Sequence, residues 1–142
     1  MDFFRPNIEK SITLPSPPLR DEDEISRMKD IIRNRTAEDV RSIRNHDEVP
    51  FYALRKYCEE NGLVFHENEF EDLIEQSVPI IMHFKNMFNR KRPFEVDKTV
   101  NTLPSKTNKT PSYPSGHSAQ ARLVARYVLS LIHISEPTRR RG

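Results

Sequence analysis

The sequence has one cysteine, three glycines and no tryptophan in 142 residues. A single Cys58, with no histidine cluster around it, excludes an internal disulfide and a thiolate metal site. So few glycines exclude a β-sandwich or barrel, which needs many tight turns. No run alternates with period two for long enough to predict a strand, and no internal repeat is present. Long apolar runs are also missing. The longest, Val78 to Phe84, is interrupted by Pro79 and His83 and falls far short of the ~18–20 residues that cross a bilayer. Met1-Asp-Phe-Phe-Arg-Pro offers neither the basic start nor the apolar stretch of an export signal. The expected location is therefore cytoplasmic as encoded, or periplasmic if the true start lies further upstream.

Charge of one sign is lacking as well. The formal charge is +2, from 23 basic and 21 acidic residues. Residues 131–142 hold Arg139, Arg140, Arg141 and Glu136, so the rest of the chain carries 20 of each sign. A nucleic-acid partner requires a basic surplus, and none is present. The segment Ser130-Leu-Ile-His-Ile-Ser-Glu-Pro-Thr-Arg139 resembles the translation of a sequencing adaptor. Residues 131–142 are accordingly read as a non-native tail, and His133 receives no role.

What remains is helical. Residues 1–20 form a Pro-punctuated lead expected to lie extended over the surface. Residues 21–130 form one domain with a modest core, since apolar residues make up 35% of the chain and charged ones 31%. Four acids from Asp21 open an amphipathic helix over about 21–34 that carries Ile25, Met28, Ile31 and Ile32. Thr36 with Asp39 predicts a capping pair for a second short helix. A third carries Phe51, Leu54 and a buried Cys58 and stops at Gly62. From Asn68 the pattern resumes, with Pro79 expected to kink or restart the helix and Ser77 available as a cap. His46, His66 and His83 are scattered singly and read as surface or packing residues. The fold class is all-α.

Two stretches carry chemistry. Val78, Ile81, Lys85, Phe88 and Arg92 recur at three- and four-residue intervals, which predicts one helix face shared by core residues and two cations. Buried cations without partners cost several kcal/mol each, so this face calls for an anion, either a ligand or acidic side chains. Arg92 offers a planar fork for two oxygens and Lys85 a compact charge, with Pro93 stopping the helix behind them. Arg90 and Lys91 point elsewhere and read as solvated.

A polar loop of about twenty residues, Phe94 to Tyr113, then delivers Pro114-Ser115-Gly116-His117 to a helix running Ser118 to Leu129. Free N–H groups at a helix start suit an anion; Gly116 permits close approach and Ser115 adds a hydroxyl. His117 beside an anion favours its protonated form, as a proton donor to a leaving oxygen needs. A capped helix start with an exposed histidine is the plain alternative.

Lys85-x6-Arg92-Pro93 followed by Pro114-Ser115-Gly116-His117 resembles the first two signature motifs of the type 2 phosphatidic acid phosphatase superfamily. That superfamily includes the class A acid phosphatases and the vanadium haloperoxidases. Leu14-Pro-Ser-Pro-Pro18 and Tyr113 extend the likeness to the soluble acid phosphatases, over roughly residues 14–129. The resemblance implies a helical bundle of that type, incomplete at its C-terminus. It implies that Lys85, Arg92, Ser115 and the Gly116 amide bind phosphate and that His117 is the general acid. The implied reaction is metal-free hydrolysis of a small phosphomonoester through a phosphohistidine. Vanadate would be a cofactor only under the haloperoxidase alternative. The third motif, Ser-Arg-x5-His-x3-Asp, which supplies the nucleophile, is missing after His117. The complete parent is thus expected to be a phosphatase and this chain an inactive form of it. Apolar surface is expected to be exposed along 78–92 and 118–129.

Overall fold

A computed structural model describes residues 1–135, with side chains as far as Leu131. The described residues are helical, without strands: α1 (Glu22–Asn34), α2 (Ala37–Glu48), α3 (Tyr52–Glu60), α4 (Glu67–Phe88), α5 (Pro93–Val96) and α6 (Gly116–Ser135), preceded by a 3₁₀ turn at Ile8–Ser11. The helical starts follow local chemistry. Asp21 caps α1 by accepting from the Glu24 N–H at 2.7 Å. Thr36 and Asp39 exchange bonds in a full capping box at the head of α2. Gly62 takes a left-handed φ of 63° after α3, as a glycine stop should.

The centre of the fold is the packing of α4 along α6. Phe70 and Leu73 of α4, Val124 of α6 and Phe51 ahead of α3 form the buried cluster. Phe70 lies edge-on to Tyr127 at 6.0 Å and to Phe65 at 4.8 Å, a geometry that aromatic quadrupoles favour. Cys58 is buried, and His46, His66 and His83 are exposed. Of the apolar stripe expected on α1, Ile25 is buried but Ile31 is 70% exposed.

The lead does more than lie over the surface. Phe3 and Phe4 pack against the core cluster. The Phe3 N–H donates to Gln76 Oε1 at 2.9 Å, and Gln76 Nε2 donates to the Met1 carbonyl. An aromatic pair so close to the terminus tucks in because the α4–α6 seam leaves apolar surface for it.

Pro79 does not break α4, which runs as one helix through it. Ser77 is therefore not a cap. It is buried in mid-helix, and its hydroxyl donates to the Ile74 carbonyl at 2.6 Å. Val78, Met87 and Leu129 are exposed. The helix α6 passes the expected boundary at 131 and runs to Ser135, while residues 136–142 of the tail lie outside the described residues.

Candidate functional site

The helix α4 ends at Phe88, one turn short of where the sequence reading placed its end. Asn89 adopts a left-handed φ of 47°, and its N–H closes on the Lys85 carbonyl at 2.8 Å. Asparagine tolerates that conformation better than other non-glycine residues. The chain then runs extended into Arg92 (φ −77°, ψ 156°), as expected before a proline. Lys85 and Arg92 are thus not on one helical face, and Pro93 does not stop a helix. It opens the single turn α5, where the Arg92 N–H donates to Glu95 Oε1 at 3.0 Å.

Both cations nevertheless line one cleft of about 570 Å³. Its wall also includes Ser115, Gly116 and His117 at the start of α6, and Asp47 from α2. The sequence-predicted site residues are all brought together there. They arrive from α4, the turn after it and the head of α6, rather than from one stripe.

Lys85 is 4% exposed. Its Nζ donates to the Pro111 carbonyl at 2.6 Å. Arg92 Nε donates to the Thr110 carbonyl at 2.7 Å, and its Nη2 to the Thr107 carbonyl at 2.9 Å and Thr110 Oγ1 at 3.3 Å. Among the described residues no carboxylate forms an ion pair with either cation. Neutral carbonyl dipoles occupy part of these donors without cancelling the charge. Accordingly, desolvation and then the neighbouring Arg92 hold the Lys85 ammonium below its ordinary 10.5. Desolvation likewise lowers Arg92, opposed by the fields of Glu95 and Asp47.

At the head of α6, Ser115 Oγ accepts from the Ser118 N–H at 3.2 Å, and the Ser115 carbonyl accepts from the Ala119 N–H at 3.1 Å. Ser115 is therefore the helix cap, with its hydroxyl proton left to donate. Of the first-turn donors, Gly116 and His117 N–H have no partner among the described residues. A Cβ built on Gly116 would meet Lys85 Cε at 4.0 Å, ordinary contact, so the glycine sits directly over the buried lysine.

His117 is oriented by a residue that sequence spacing did not reveal. Its Nε2 donates to the Asp47 carbonyl at 2.7 Å, with Asp47 Oδ1 at 3.8 Å. A carbonyl only accepts, so Nε2 carries the proton. That proton faces α2 instead of standing free, which differs from the donor read from the sequence. No local signal marks a partner 70 residues away. Arg90 is not simply solvated either: it donates to the Pro18 carbonyl at 3.2 Å and pairs with Glu24 at 3.9 Å.

Compared with protein-family models, with curated proteins and with solved structures, the chain has no match.

Proposed function

We propose that Lys85, Arg92, the Ser115 hydroxyl and the Gly116 amide form a phosphate cradle, with His117 at its edge. The ligand is a small phosphorylated molecule or inorganic phosphate. One observation carries the reading: a buried lysine and a half-buried arginine, neither paired with a carboxylate among the described residues, share a cleft with the open head of a long helix. Each of these features favours an oxyanion, and together they supply charge, fork geometry and aimed N–H groups.

In this reading the chain is phosphatase-like, similar in its two motifs to the soluble acid phosphatases of the type 2 phosphatidic acid phosphatase superfamily. His117 would protonate the leaving oxygen in a complete parent, after its Nε2 proton is released from Asp47. The sequence offers no Ser-Arg-x5-His-x3-Asp segment for the phosphohistidine step, so the chain binds without turning over.

Thermal unfolding in inorganic phosphate tests the reading. A ligand bound only to the folded chain stabilises it by about 2.7 kcal/mol at a hundred times Kd. The midpoint should rise with phosphate and not with chloride at matched ionic strength, and Arg92→Ala should abolish the rise. A midpoint indifferent to phosphate would favour the second reading. That reading makes the cations staples for the 107–111 loop, and the carbonyl bonds of Lys85 and Arg92 speak for it. Incubation of the chain with an aryl phosphate should release no phenol above the buffer rate; sustained turnover would overturn the non-catalytic assignment.

A further inference from the structure

Phosphate would meet cations whose donors are already partly occupied. The Thr107, Thr110 and Pro111 carbonyls and Thr110 Oγ1 sit on Lys85 Nζ and on Nε and Nη2 of Arg92. Nε and Nη2 form one edge of the guanidinium fork, the kind of edge that grips two oxygens at once. A single strap of chain thus presents oxygen atoms to both cations in the manner of a bound oxyanion, but without negative charge.

Resting on the phosphate-cradle reading, we propose that the strap 107–111 is a built-in occupant of the anion site, and that phosphate and the strap compete for Lys85 and Arg92. The strap is fixed at its far end, where the Ser112 N–H donates to the Arg90 carbonyl at 2.8 Å and its hydroxyl to the Lys91 carbonyl. Apart from the Arg92 bond to the Thr107 carbonyl, its near end is held by short-range bonds: Thr107 N–H to Ser105 Oγ at 3.2 Å, Ser105 Oγ with Thr107 Oγ1 at 3.0 Å, and Thr110 Oγ1 to the Thr107 carbonyl at 3.2 Å. Lys109 on it and Lys106 just before it are exposed. The strap can therefore swing about residue 112 while α4 and α6 stay packed. Phosphate brings a full opposite charge where the strap brings only carbonyl dipoles, so exchange favours the anion once enough is present. The apparent affinity is reduced by the fraction of chains in which the strap is closed.

This competition has an inverted signature. A ligand that merely fills a cleft protects the loops around it. Here phosphate should raise the unfolding midpoint and at the same time expose the strap. The experiment is limited trypsinolysis of the full chain, with cleavage after Lys106 and Lys109 followed by mass spectrometry, in phosphate and in chloride at equal ionic strength. Cleavage at those two sites should rise by about threefold or more with phosphate, while cleavage elsewhere falls. Thr110→Val removes the strap's side-chain bond to Arg92 and its own brace to Thr107, so its apparent phosphate Kd should tighten by about threefold. Phosphate binding with the strap equally or less cleavable, or a T110V variant that binds no tighter, overturns the competition but leaves the cradle. Absence of phosphate binding in both proteins overturns the cradle and the competition together.

Discussion

Lys85 concentrates the physical chemistry of the site. It is a cation held at 4% exposure by one carbonyl, on a helix whose neighbouring buried residues are apolar. Removing a buried cation that has no ionic partner relieves its desolvation, which offsets the loss of its one carbonyl bond. Lys85→Met should therefore change stability by no more than about 1 kcal/mol in urea unfolding, while phosphate affinity falls at least tenfold, the value of one charge-assisted bond. A large loss of stability would mark Lys85 as a structural staple instead. The pH dependence has a definite sign. The folded ammonium titrates below its ordinary 10.5 because burial and Arg92 disfavour its charge. The unfolded chain thus binds more protons in that window, and this residue's contribution to stability rises with pH towards 10.5. Phosphate binding, which needs the charge, should weaken over the same range. Calorimetric titrations carried up to pH 10.5 check this. An affinity that stays flat there would contradict the account.

At the scale of elements, the turn between α4 and α5 decides whether the two cations meet. Periodicity carried the helix to residue 92, because 85 and 92 are two turns apart. The sequence held a contrary signal, Asn89 followed by Arg92-Pro93: asparagine suits a left-handed C-cap, and the residue before proline avoids the helical region. Asn89→Gly should keep stability and phosphate binding. Asn89→Val should cost about 1–2 kcal/mol, the penalty of placing a side chain in that conformation, and weaken binding with it. Chemical denaturation of the two variants checks the order. A second tie holds the chain just past α5: Lys29 on α1 donates to Asp97 at 2.7 Å. The Lys29 bond, then the Thr99 hydroxyl and amide, hold Asp97 down at about 2 from its ordinary 3.8. The stabilisation is present above pH 3.8 and is lost as pH falls towards 2, a loss that Asp97→Asn should abolish from the acid-unfolding curve.

At the scale of the whole molecule, the all-helical class was legible from the scarcity of glycine, the absence of alternation and the capping residues. The capping box at Thr36 and the stop at Gly62 were local statements, and local chemistry produced them. The site residues were legible as types, but their assembly was not. His117 meets Asp47 and Lys85 meets Pro111 through contacts that only the closed chain makes. Nor does spacing say that carbonyls rather than carboxylates would face the cations. The helical architecture leaves the acid phosphatase likeness as a proposal carried by two motifs. What the fold adds is convergence, since three separate segments deliver Lys85, Arg92 and the head of α6 to one cleft.

That convergence is most directly tested by amide NMR of the ¹⁵N-labelled chain during a phosphate titration. The account predicts that the Gly116 and His117 amides, the Arg92 side-chain Nε–H and the strap residues shift together and saturate with one common Kd, and that Arg92→Ala removes the response. Shifts that scatter over surface lysines and grow without saturation, with Gly116 and His117 unmoved, would contradict it.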